Sequence, residues 1–144
     1  MYKYNFKFEK ILNLKSRQED MEEDRYRLLQ KDLNDLKKKL EKIKIEKENI
    51  FAHLRENGSD LWLNIDYRKY LKKQRELEEK ISVKKREKEA EVKKQLNVLM
   101  EKRRERKTLE KLKEKETEKF IKEFLLDEQK ELDEIGRQFM SGGR

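Results

Sequence analysis

The sequence predicts an all-α fold: two long helices forming an antiparallel coiled-coil hairpin, the second longer than the first and overhanging it. Three observations predict it. Half of the 144 residues are charged and 33% are hydrophobic, too few apolar side chains for a thick core, because burial must offset the entropy of ordering the chain. There is no proline, and Lys, Glu, Leu and Arg, all strong helix formers, dominate. The four glycines fall at Gly58 and at Gly136, Gly142 and Gly143, leaving two long stretches without a helix breaker.

The chain reads as a single hairpin over 1–144, with helix one over about 5–56, a turn at 57–60, helix two over about 60–135 and a flexible tail at 136–144. At 1.5 Å per residue the two unbroken stretches would run about 78 and 114 Å. Within Asn57-Gly58-Ser59-Asp60, Gly58 is expected to close the first helix in a left-handed conformation. Ser59 or Asp60 can then cap the second.

The seam is clearest before the turn. Leu29, Leu33, Leu36, Leu40, Ile43, Lys47, Ile50 and Leu54 alternate steps of four and three, the heptad pattern of a left-handed coiled coil. Lys47 can lay its aliphatic stem along the seam and keep its ammonium in water. The returning helix answers with Tyr67, Tyr70, Leu71, Leu77, Ile81, Val92, Leu96 and Leu99, and packing should weaken around Lys84 to Lys88. Trp62 is expected to clamp the tip as an apolar anchor.

With the turn near Gly58, residue i should lie roughly opposite residue 116 − i, so Phe6, Phe8, Ile11 and Leu12 face the region of Met100 to Leu112. Residues beyond about 114 then have no partner helix. They nevertheless carry an apolar stripe of Ile121, Phe124, Leu125, Leu132, Ile135 and Phe139. Positions 121, 125, 128, 132, 135 and 139 again step by four and three, with Glu128 the polar exception. Such a stripe is suited to binding another protein, or to self-association in a dimer or bundle. Charge is segregated beside it. Residues 102–115 hold eight Lys/Arg against three Glu, and residues 123–134 hold six acids and one Lys. Acids near a helix C-terminus oppose the dipole, so helix stability does not account for them.

The same sequence argues against chemistry. With no cysteine and one histidine, His53, thiolate and His-pair metal sites disappear together with most acid–base arrangements. No glycine-rich phosphate loop occurs. No catalytic residue, metal or cofactor is expected, nor any direct small-molecule ligand, and the protein is not expected to be an enzyme. Apolar runs stop at three residues, as in Leu61-Trp62-Leu63, so no membrane span or signal-peptide core is predicted. The net charge of +8 suits an anionic partner. The basic run at 102–107 is interleaved with glutamate, so nucleic acid is not the expected one.

Several segments resemble the FliJ family, cytoplasmic components of the bacterial flagellar type III export apparatus. Phe6-Lys7-Phe8-Glu9-Lys10-Ile11-Leu12 is similar to that family's F-x-F/L-E-x-I/L-L opening. The segment from Trp62 to Leu71 resembles its tryptophan- and tyrosine-bearing start of helix two. Leu109-Glu110-Lys111-Leu112-Lys113-Glu114-Lys115, followed by Leu132-Asp133-Glu134, resembles its closing signature. The resemblance implies a non-enzymatic stalk, akin to that of rotary ATPases, docked in the hexameric flagellar export ATPase. It further implies contacts with the membrane export gate and export chaperones, at the cytoplasmic face of the inner membrane at the flagellar basal body. Carried onto this sequence, the ATPase-ring contact would use Phe6, Phe8, Ile11, Arg103, Arg104, Arg106, Phe120, Phe124 and Leu125. The gate contact would use Tyr70, with Gln74 standing where the family has an aliphatic residue and Leu71 or Leu77 available to substitute. A related stalk of a virulence type III secretion system and a structural homodimeric spacer share this outline.

Overall fold

A computed structural model describes residues 4–142 of the protein, and two helices account for nearly all of them: α1 (Glu9–Glu56) and α2 (Leu61–Gly142). They have 48 and 82 residues and pack against each other as a hairpin, with no strand among the described residues.

Three boundaries differ from the sequence expectation, each for a physical reason. α1 begins at Glu9 rather than near residue 5, because the chain turns beforehand, the Glu9 amide donating to the Phe6 carbonyl at 3.2 Å. That turn lets Phe6 fold inward, where it is buried. α2 continues through Gly136 to Gly142, where a tail from 136 was expected. A single helical glycine costs only about 1 kcal/mol relative to alanine, and no proline follows to stop the helix. The part of the expected tail at Gly143 and Arg144 lies outside the described residues.

The third difference is at the turn. Gly58 does not have a positive φ; the link closes through the Asp60 amide donating to the Asn57 carbonyl at 3.1 Å. Glycine eases a close approach there instead, since a Cβ would meet the Leu54 carbonyl oxygen at 3.2 Å, tighter than ordinary van der Waals contact. Asp60 supplies the cap: its Oδ1 accepts from the Leu63 amide at 3.1 Å, satisfying one of the free donors of the α2 N-terminus. The Asn64 side-chain amide reaches back to the Gly58 carbonyl at 3.0 Å.

The chain divides into two units, Met21–Met100 at the tip and Met1–Asp20 with Glu101–Arg144 at the terminal end. In the tip unit the α1 stripe from Leu29 to Leu54 is the inward face, and Leu33, Ile43 and Ile50 are buried on it. The α2 face is less apolar. Leu71, Ile81 and Leu99 are buried, but the same three-and-four frame also turns Gln74, Glu78, Lys85, Lys88 and Gln95 inward. Tyr70 and Leu77, expected in the seam, are exposed, because this frame gives their places to Gln74 and Glu78. Polar inward positions find partners across the pair. Lys47 bridges to Glu78, Gln95 donates to the Glu22 carbonyl at 3.1 Å, and Lys88 lies 3.9 Å from Asp32. The stretch around Lys84 to Lys88 thus faces α1 with polar groups and a long, partly exposed ion pair in place of apolar burial.

Trp62 does not clamp the tip. It is 78% exposed, because it lies in the first turn of α2, beyond the last seam residues Leu54 and Tyr67. His53 stacks on Tyr67 with ring centroids 6.1 Å apart, and this pair closes the seam instead.

Leu99, at 2% exposure, is the most buried large side chain described. Leu99→Ala should lower unfolding free energy by about 2–5 kcal/mol, whereas Trp62→Ala should change it by less than about 0.5 kcal/mol. Paired urea titrations followed by circular dichroism would measure both.

Candidate partner-binding site at the terminal end

In the terminal unit the inward face of α1 runs Leu12, Lys15, Glu19, and that of α2 runs Lys102, Arg106, Leu109, Lys113, Glu116, Phe120. Both keep alternating steps of three and four. Only Leu12, Leu109 and Phe120 of these are apolar, so this stretch of seam is mostly ionic.

Its centre is Glu19, 7% exposed. Arg103 Nε donates to Glu19 Oε1 at 3.1 Å, and Arg106 binds the other carboxylate oxygen while also donating to Glu110 Oε1 at 2.8 Å. Burial pushes the Glu19 carboxyl upward, but hydrogen bonds from Arg106 and Arg103 outweigh it and hold the group below the usual carboxylate range. The same bonds raise the Arg106 guanidinium further above its ordinary value. Lys15 pairs with Glu105 at 2.9 Å, and its hydrogen bond draws that carboxyl down. Lys113 reaches Glu9 at 2.9 Å.

Aromatic side chains close this unit. Tyr4 packs on Phe120 with centroids 5.2 Å apart, Phe120 stacks on Phe124 at 6.5 Å, and Phe6 meets Phe8 edge-on at 5.8 Å. The Tyr4 hydroxyl donates to Glu116 Oε2, and this bond to an anion pushes its pKa up to about 12. Tyr4 opposite Glu116 and Lys15 opposite Glu105 set a register of 120 − i in place of 116 − i. Through Tyr4 the N-terminal lead therefore reaches α2 as far as Phe120, beyond the expected limit near 114, and Phe124 is half-buried against Phe120. From Leu125 to Gly142 every described residue is exposed. Ile121, Leu125, Leu132, Ile135 and Phe139, the apolar stripe, are between 50% and 82% exposed.

The residues assigned to a ring contact from the sequence fall into two groups. Phe6 is buried, Phe8, Phe120 and Phe124 are half-buried among the aromatics, and Arg103 and Arg106 are turned onto Glu19. These six hold the end of the hairpin together. Ile11, Arg104 and Leu125 are exposed and lie on the outer surface. The residues assigned to a gate contact also split, with Leu71 buried and Gln74 half-buried in the tip-unit seam while Tyr70 and Leu77 are exposed. Two turns of helix separate Tyr70 from Leu77, which places them on one face. Sequence reasoning overlooked Tyr4 and Glu19. The three-and-four frame, continued upstream from Leu29 through Tyr26 and Glu22, would have reached Glu19.

No described helix is long and apolar enough to cross a membrane. The profile of the family described as Flagellar FliJ protein matches residues 4–144. No curated protein and no solved structure was found to match the chain.

A depressed carboxyl pKa contributes stability that is present above the unfolded-state value and is lost as pH falls through the folded-state value. Glu19, whose ordinary value is 4.5, should therefore make the hairpin less stable as pH drops below about 4.5. Glu19→Gln should be less stable than the parent at pH 7, and its stability should fall less steeply on acidification. Denaturant midpoints measured between about pH 3 and 7 would register both effects.

Proposed function

The chain belongs to the flagellar FliJ family, a component of the flagellar export apparatus, and from that membership we propose that it acts as a non-enzymatic stalk coupling the hexameric export ATPase to the export gate and export chaperones. In this reading the terminal end docks in the ATPase ring. The observation that carries the assignment is the run of exposed apolar residues on α2 beyond Phe124, a helical face that the chain's own α1 does not cover. An amphipathic helix projecting from a preformed hairpin suits insertion into a groove, and its ordered state reduces the entropy lost on binding.

The ring contact is made by Ile11, Arg104, Ile121 and Leu125, while the aromatic group and the Glu19–Arg103–Arg106 cluster hold these residues in place. The gate contact is made by Tyr70 and Leu77 on the outer face of the tip unit. Export chaperones are a third class of partner, and the protein works at the cytoplasmic face of the inner membrane at the flagellar basal body.

Light-scattering mass of the chain mixed with the export ATPase tests the reading. The expected product is a hexamer carrying about one chain. Ile121→Asp with Leu125→Asp should weaken ring association at least about tenfold with an unchanged thermal midpoint, since both residues lie outside the seam. Undiminished association of that folded double variant would overturn the site. A parent chain that never joins the ring would overturn the function.

A further inference from the structure

The terminal unit carries an outer surface of which the proposed ring contact uses only Ile11 and Arg104. Ile11 directly precedes the seam residue Leu12, and Leu112 directly precedes the seam residue Lys113. In an antiparallel pair these equivalent flanking positions lie on the same side. Leu14 follows Ile11 by one turn on that side, and all three are exposed. They make an exposed apolar strip along one side of the helix pair. Exposed Lys10 and Arg17 border it on α1, and exposed Arg104 and Lys111 border it on α2.

Glu101, Glu114 and Glu118 are exposed on α2, but five other glutamates of this region are turned to partners within the unit. Glu9, Glu19, Glu105, Glu110 and Glu116 are engaged within the unit with Lys113, Arg103, Lys15, Arg106 and Tyr4. The outward face is thus more basic than the interleaved sequence suggests. Beyond it, the overhang offers the complementary surface: an apolar stripe stepping by three and four, with Asp127, Glu131 and Glu134 along one flank.

The geometry points to a reciprocal homodimer in which the overhang of each chain lies along the apolar strip of a second copy. Two arguments select this occupant. Overhang packed directly on overhang would set six acids against six, a repulsive arrangement. Sliding the two copies until residues 123–134 of one lie beside 102–115 of the other instead sets acid against base. Antiparallel helices in that alignment have their two-fold axis near residue 118, roughly midway between the two segments. Leu125 then comes level with Leu112 to within a residue. Leu132 comes level with Arg104, about two residues from the height of Leu14 on α1. One register therefore satisfies apolar matching and charge matching together. The stripe that the stalk reading assigns to the ring is covered in this dimer, making it a resting form released by docking; that last clause alone rests on the stalk reading.

Charge reversal on each side tests the dimer without the ATPase. Sedimentation equilibrium of the full chain at low salt should give twice the chain mass, shifting toward monomer as salt rises. Asp127→Lys, Glu131→Lys, Glu134→Lys together should give a monomer, and so should Arg17→Glu, Arg104→Glu, Lys111→Glu. Because only exposed residues change, both variants should keep the parent's helical circular dichroism. Mixing the two should restore both contacts, one of parental and one of reversed polarity, and bring back a dimer of one chain of each. A parent chain that stays monomeric at concentrations well above micromolar overturns the proposal. So does a dimer indifferent to both reversals, or a mixture of folded variants that does not pair.

Discussion

Everything in this molecule depends on a seam one residue wide that must stay in step. In α1 the inward positions advance by alternating threes and fours from Leu12 to Leu54 without interruption. Two helices so joined bury little apolar surface; the eight hydrophobic side chains buried among the described residues are spread thinly along the chain. A uniform apolar seam of this kind would tolerate sliding by a heptad. The charged inward positions do not. Displacing α2 by seven residues in one direction would set Glu19 against Leu96 and Leu99, leaving a buried carboxylate among leucines. Displacement the other way would bring Glu110 and Lys113 to it in place of the two arginines. Removing either partner from a buried charge is costly, so the ionic cluster specifies register even where its net contribution to stability is small.

That register decides what the terminal end can offer a partner. With Tyr4 opposite Glu116 and packed on Phe120, the non-helical lead of residues 4–8 reaches α2, and the half-buried surface of that helix ends at Phe124. The boundary between satisfied and unsatisfied helix surface is consequently sharp. On one side aromatic residues support each other, and on the other an acidic, apolar face has nothing of its own chain to rest on. Burial changes between neighbouring residues, so Phe124 belongs to the hairpin while Leu125 is left exposed.

Much of this was legible in the sequence, and the failures have a common cause. The hairpin, its turn and the α1 stripe follow from glycine placement and from leucines at heptad spacing, signals that depend on local geometry alone. The overhang follows from unequal helix lengths. What misled was reading the seam from hydrophobicity. Tyr70 and Leu77 were placed inward because they are apolar, yet the frame set by Leu71 and Ile81 puts Gln74 and Glu78 there. Glu19 escaped notice for the converse reason, being a charge at a core position. Arg103 and Arg106 look like a solvated basic run in the sequence, and only pairing with a residue far along the chain reveals that they face inward. Trp62 was misplaced because bulk and apolarity suggest burial, although the hairpin tip has no third element to bury it against.

The exposure of Trp62 has a practical corollary. It is the chain's single tryptophan, it sits at the start of α2 in the tip unit, and nothing in the seam depends on it. Its emission is therefore a built-in optical label confined to one locality. A partner that seats on the tip would shift the spectrum by taking the indole out of water. A partner that engages only the overhang would leave it silent. The protein thus carries, unmodified, a means of telling whether a partner has seated near the start of α2.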